Sequence, residues 1–129
     1  MNLMIFFNNK KELVLWSLIV LEVLVGIYFL APLVLNTITP FLIIKSDSML
    51  PALKVGDIIV IRGINKDSNL SQLQNKIIAY YNPVEGKIYV HRVIGVSGDN
   101  IITKGDNSDI IDFFQAGRSY VLGELMIKL

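Results

Sequence analysis

A single apolar helix able to cross a membrane, followed by a small, mainly β antiparallel domain, is the fold class this sequence predicts. Three observations predict it. Residues 13–35, LVLWSLIVLEVLVGIYFLAPLVL, form an apolar run interrupted by one charge, Glu22. From residue 36 onward the chain breaks into short runs rich in β-branched and aromatic residues, separated by Gly, Pro, Asn and Asp. Hydrophobic residues make up 53% of the chain and its mean hydropathy is +0.55, both high for a soluble domain.

The apolar run fixes the first element. A helix of that length rises about 35 Å at roughly 1.5 Å per residue, and a bilayer core is about 30 Å thick. A cleaved secretory signal has a shorter apolar region, about 7–15 residues, ending at a small-x-small site. Here the run is longer and continues into NTITPFLIIK, so an uncleaved single-pass anchor is expected. Residues 1–12 form the segment before it. Lys10 and Lys11 favour a cytoplasmic N-terminus, which puts residues 36–129 on the extracytoplasmic side. Lys45, Lys54 and Arg62 weigh against that bias. A charged Glu22 in mid-membrane costs roughly 2.5–3.5 kcal/mol on insertion scales. It is therefore protonated, set against a partner helix, or tolerated in a strongly apolar segment.

Beyond the anchor, 41–45 and 57–63 read as strands, and 65–75 as a polar loop. Strands at 76–81 and 87–96 flank NPVEG, which suits a hairpin. SGDN (97–100) turns into 101–104, residues 105–119 are irregular, and 120–129 reads as a closing strand. The region is small for a self-sufficient core, so part of its apolar surface is expected to rest on lipid or on a partner subunit.

Charge and cysteine content narrow the function. The net charge is +1, from 12 basic and 11 acidic residues, with no basic face to hold nucleic acid. No cysteine is present, which removes disulfides, thiolate metal sites and cysteine nucleophiles.

Three segments carry side chains suited to chemistry. Ser46-Asp47-Ser48-Met49-Leu50-Pro51, then Gly56-Asp57, offers a nucleophile. A serine needs a neighbouring base to attack a peptide carbonyl at neutral pH, and a second nearby hydroxyl can donate to the developing oxyanion. Pro51 confines Leu50 to extended or turn backbone. The same residues also read as a plain turn after a strand. The sole histidine, His91, lies in the alternating run 87–94. Period-2 alternation puts it on one face with Tyr89 and Val93, and puts Ile88, Val90, Arg92 and Ile94 on the other. It reads equally as a structural strand residue. Asp106, Asp109 and Asp112 cluster in 105–112. A calcium loop requires Gly at its sixth position and Glu at its twelfth. Counted from Asp106 these are Ile111 and Gly117, so the pattern fails and no metal or cofactor is expected. One of the three carboxylates can instead orient an imidazole, or the loop simply bonds its own backbone.

Together the segments resemble the signal peptidase I family. Ser46–Leu53 with Gly56-Asp57 resembles that family's S-x-S-M-x-P-x-L-x-x-G-D box. Val90-His91-Arg92-Val93-Ile94-Gly95 resembles its base-bearing box, and Thr103–Asn107 with Asp112 its acidic box. The resemblance spans most of residues 13–112. It implies a signal-peptidase-type β domain with Ser48 as nucleophile. Where the bacterial branch has a lysine base this chain has His91, which is similar to the endoplasmic-reticulum and archaeal branch. The resemblance then implies Asp112 as the acid partner of His91, Asp106 as a supporting carboxylate, and an oxyanion site from the Ser48 N–H and the Ser46 hydroxyl. The implied substrates are precursor proteins bearing signal peptides, cut after small residues. Ser108 stands where many relatives have a second asparagine, and no second hydrophobic segment follows the catalytic boxes. An Asn-, Ile- and Lys-rich composition and a short C-terminal end point to a prokaryotic membrane rather than the endoplasmic reticulum. The rival readings are a silent or accessory β-domain that binds signal peptides or assembles with a partner, and a self-cleaving repressor-type protease. The latter lacks its DNA-binding domain and lysine base here.

Overall fold

A computed structural model describes residues 9–129; most of the predicted segment 1–12 lies outside them. The chain forms two units, one helical and ending at Val34, the other spanning Leu35–Leu129.

The helical unit holds α1, Lys10–Val34, long and apolar enough to cross a membrane. It begins three residues before the apolar run because Asn9 caps it, its Oδ1 accepting from the Glu12 N–H at 2.9 Å. No residue of α1 is buried. Asn36, at φ 52°, takes the left-handed conformation that commonly follows a helix C-terminus.

The second unit is one antiparallel sheet: β1 (Phe41–Ile43), β2 (Ile58–Arg62), β3 (Ile77–Asn82), β4 (Lys87–Ser97), β5 (Asn100–Lys104), β6 (Ala116–Gly117) and β7 (Val121–Lys128). Its strand order is β1-β2-β7-β3-β4-β5-β6. The turns follow from local chemistry. Asn82 Oδ1 accepts from the Val84 N–H at 3.0 Å, and Gly86 at φ 66° closes the β3–β4 hairpin. Ser97 pairs with Asn100, leaving a two-residue β4–β5 loop whose first residue, Gly98 at φ 60°, has the positive φ that such loops need. The predicted polar loop contains a short 3-10 turn, Leu70–Leu73. The stretch expected to be irregular, 105–119, contains β6 and the start of a second 3-10 turn, Arg118–Tyr120, which takes the first residue of the expected closing strand.

Alternation gives the sheet a core on each face. Ile78, Tyr80, Val93 and Ile101 pack with Leu70 and Leu73. Met49, Leu53, Ile59, Ile61 and Ala79 pack on the other side, with Val90 against them. Residues from β1 and β4, four places apart in the sheet order, line one groove of about 870 Å³, so the sheet curls to bring them together. Phe41, Ile43, Ile58 and Ile127 sit near one another across β1, β2 and β7 and remain exposed.

Candidate active site

Ser48 follows β1 on a segment pinned from both ends. Met49 and Leu53, each 1% exposed, sink into the core. The Asp57 carboxylate accepts from the Lys54 N–H at 2.9 Å, and the Gly56 N–H donates to Ile44 O at 2.8 Å. These anchors hold the backbone and leave Ser48 half-buried at the surface.

The acidic loop clamps the same segment. Asn107 N donates to Ser48 O at 2.8 Å, and its side-chain amide donates to Asp47 O at 3.2 Å. The loop comes this close because residue 105 is glycine: a Cβ there would lie 2.6 Å from Ser48 O and 3.2 Å from Ser48 Cβ.

His91 comes from the middle of β4 and is 7% exposed. Its Nε2 is 3.0 Å from Ser48 Oγ, and its Nδ1 is 2.5 Å from Asp112 Oδ2. The Tyr89 ring meets the imidazole in a T-shaped contact, centroids 5.4 Å apart and planes at 71°. The Tyr89 hydroxyl donates to Glu85 at 2.5 Å, and this bond first, then burial, pushes the phenol up to about 12.

The three carboxylates separate clearly. Asp112 faces the imidazole. Asp106 takes a bidentate pair from Arg92, at 2.8 Å from Nε and 2.7 Å from Nη2, on the face of β4 opposite His91. Asp109 is exposed. Burial works against the Asp112 charge, but hydrogen bonds from His91, Thr103 and Tyr80 outweigh it and hold its carboxyl below the usual carboxylate range. An ionised Asp112 assigns the Nδ1–H tautomer, so Nε2 accepts from the Ser48 hydroxyl. The Ser46 Oγ, 3.0 Å from Ser48 Oγ, then donates to Ser48. No cluster able to hold a metal occurs among the described residues.

Asp106 yields a prediction about stability. Its pair with Arg92, against a smaller opposing effect of burial, keeps its carboxyl below the ordinary range. A carboxylate with a lowered folded pKa stabilises fully above its unfolded value of about 3.9. That contribution is lost as pH falls through the folded value. Asp106→Asn should therefore destabilise the β unit by about 1–2 kcal/mol near pH 7, and the gap from wild type should shrink at pH 3. Thermal unfolding of both proteins in detergent at the two pH values checks this.

Sequence reasoning left three contributors unassigned: Tyr80, Thr103 and Asn107. The latter two lie inside the acidic box, but nothing marked their partners. Tyr80 sits in an ordinary strand run and carries no signal at all.

A hydroxyl, an imidazole and a carboxylate joined in line define the class of site found in serine hydrolases, where the imidazole can move a proton between nucleophile and leaving group. The chain matches the family described as signal peptidase, peptidase S26, over residues 15–113. It belongs to that family, and a serine peptidase of the signal-peptidase kind is the function the family supports. Among curated proteins none matches the chain.

Proposed function

We propose that this protein is a membrane-anchored signal peptidase of the Ser-His-Asp type, with Ser48 as nucleophile, His91 as general base and Asp112 as its orienting acid. The observation that carries the reading is the hydrogen-bonded line from Ser48 through His91 to Asp112, set at an apolar groove in an S26 chain. His91 in place of a lysine base aligns the chain with the endoplasmic-reticulum and archaeal branch.

The substrate lies extended in the groove, whose walls include Leu42, Ile44, Met49, Ile88 and Val90. β1 is an edge strand, so its free backbone groups can pair with a peptide while alternate side chains enter the groove. Small residues at −1 and −3 bring the scissile carbonyl down to Ser48. His91 Nε2 takes the Ser48 proton as Oγ bonds to the carbonyl carbon, and the oxyanion accepts from the Ser48 N–H and the Ser46 hydroxyl. His91 then returns the proton to the leaving amine as the C–N bond breaks, leaving an ester on Ser48. A water deprotonated by His91 attacks that ester, freeing the signal peptide's carboxylate and the Ser48 hydroxyl.

Residues 10–34 anchor the enzyme, with the N-terminus cytoplasmic, residues 36–129 outside and a prokaryotic cell membrane as the host bilayer. Confining enzyme and precursor to one bilayer raises their effective concentration and restricts their orientations. The exposed Phe41, Ile43, Ile58 and Ile127 suit contact with lipid.

The test is incubation of the purified full chain, in detergent or liposomes, with a secretory precursor, followed by N-terminal sequencing of the product. The expected result is one new N-terminus preceded by small residues at −1 and −3, with cleavage lost when the −1 residue is changed to lysine. A precursor left intact, or cut equally well after that lysine, would contradict the reading.

A further inference from the structure

Asp112 is held by more than His91. Its Oδ2 accepts from His91 Nδ1 at 2.5 Å, from Thr103 Oγ1 at 2.6 Å and from the Tyr80 hydroxyl at 3.0 Å. The donors come from adjacent strands, Tyr80 from β3, His91 from β4 and Thr103 from β5. In the ladder His91 lies opposite Ile78, and Val93 opposite Thr103, so these side chains project to the same face. Tyr80 and Thr103 are each 0% exposed, and neither lines the groove beside Ser48.

This convergence has a mechanical consequence. Turning the Asp112 carboxyl part-way about its Cβ–Cγ bond would move its oxygen away from all of these donors together. The two hydroxyls lie 3.1 Å apart, so one could donate to the other, but the remaining buried O–H would be left without an acceptor, which is costly in an apolar surrounding. The Asp112 N–H also donates to Thr103 O at 2.9 Å, so Thr103 fixes both the backbone and the carboxyl of Asp112. Burial, the largest influence on the Tyr80 phenol, pushes its pKa up, so it stays a donor at neutral pH.

We propose that Tyr80 and Thr103 form a two-hydroxyl clamp that positions Asp112 for catalysis, locking Oδ2 onto His91 Nδ1 and so presenting Nε2 to Ser48. The clamp rests on the Ser48–His91–Asp112 reading above. The competing role for Tyr80 is packing, since its ring stacks on Tyr89 and Phe114 with centroids 5.7 and 6.3 Å away. Tyr80→Phe keeps that ring and removes only the hydroxyl. Thr103→Val likewise keeps the shape.

The experiment compares the full-length wild type, Tyr80→Phe and Thr103→Val in detergent. It measures kcat and KM on a signal-peptide substrate and the 15N and 1H signals of the imidazole. His91 is the only histidine in the chain, so those signals need no assignment. Each variant should lose about ten-fold in kcat with KM unchanged, and the Nδ1–H resonance should shift as its acceptor loosens. Wild-type kcat together with a wild-type imidazole spectrum in either variant overturns the clamp. If one variant fails to fold, the other decides alone. Ser48→Ala and Asp112→Asn run alongside separate this from the underlying reading. Wild-type cleavage by either would sink the triad itself, whereas their inactivity beside an unaffected Tyr80→Phe would sink only the clamp.

Discussion

Ser48→Ala and His91→Ala are each expected to lower kcat by about 10⁶-fold, and the double variant to lose scarcely more. In the proposed mechanism hydroxyl and imidazole act as one unit. Without the base the hydroxyl is a poor nucleophile near neutral pH, and without the hydroxyl the base has nothing to activate. The 3.0 Å Ser48–His91 contact is what couples them. Ser46, although its hydroxyl is 3.0 Å from that of Ser48, is not expected to substitute. It is exposed, and its route to His91 Nε2 passes through Ser48. Precursor cleavage assays on the two single variants and the double variant check the non-additivity. Near-UV circular dichroism confirms that each is folded, which matters most for the buried His91.

Asp112→Asn should be the next most severe change, lowering kcat by about 10⁴-fold while leaving the packing intact. The amide is close in shape to the carboxylate but carries no charge. If its NH2 turns towards Nδ1, the imidazole takes the tautomer with the proton on Nε2, and Ser48 then faces a donor where it needs an acceptor. If its oxygen faces Nδ1, the imidazolium formed during attack still lacks its counter-charge. Tyr80 and Thr103 both donate into this position, which favours the amide oxygen there and makes loss of charge the larger effect. A kcat measurement with the imidazole 15N spectrum separates the two. Asp106→Asn, by contrast, should act mainly on stability, because Asp106 is engaged with Arg92 rather than with the imidazole.

Much of the fold was readable because it is written in local patterns. The apolar run, the β-branched segments and the Gly-Asp and Pro-Val-Glu-Gly turns each report on their own neighbourhood, and they gave one helix followed by an antiparallel β domain. The order β1-β2-β7-β3-β4-β5-β6 was not readable, since β7 enters between β2 and β3 by pairings that leave no periodic trace. β6 holds two residues, too few to show a period. The start of α1 was placed late because hydropathy marks only the apolar stretch, whereas the cap at Asn9 lets the polar first turn form.

For the candidate site, residue types and chain order marked the three segments, but spacing alone did not distinguish Asp106, Asp109 and Asp112. Their separation depends on which side of β4 each part of the loop reaches. Arg92 and His91 project to opposite faces, and each draws a different carboxylate. Tyr80 was invisible for a related reason. Whether it meets Asp112 depends on the β3–β4 register, and a one-residue slip would have turned it to the other face.

The central claim is that Ser48 carries the cleaved chain as an ester, and trapping that ester tests it most directly. An ester analogue of a signal peptide acylates quickly, so breakdown of the acyl-enzyme becomes limiting and the intermediate accumulates. The full-length protein mixed with the analogue, quenched in acid and digested, should yield a peptide containing Ser48 heavier by the mass of the acyl group, and Ser48→Ala should yield none. An adduct on another residue, or analogue hydrolysis at the wild-type rate by Ser48→Ala, would contradict the account.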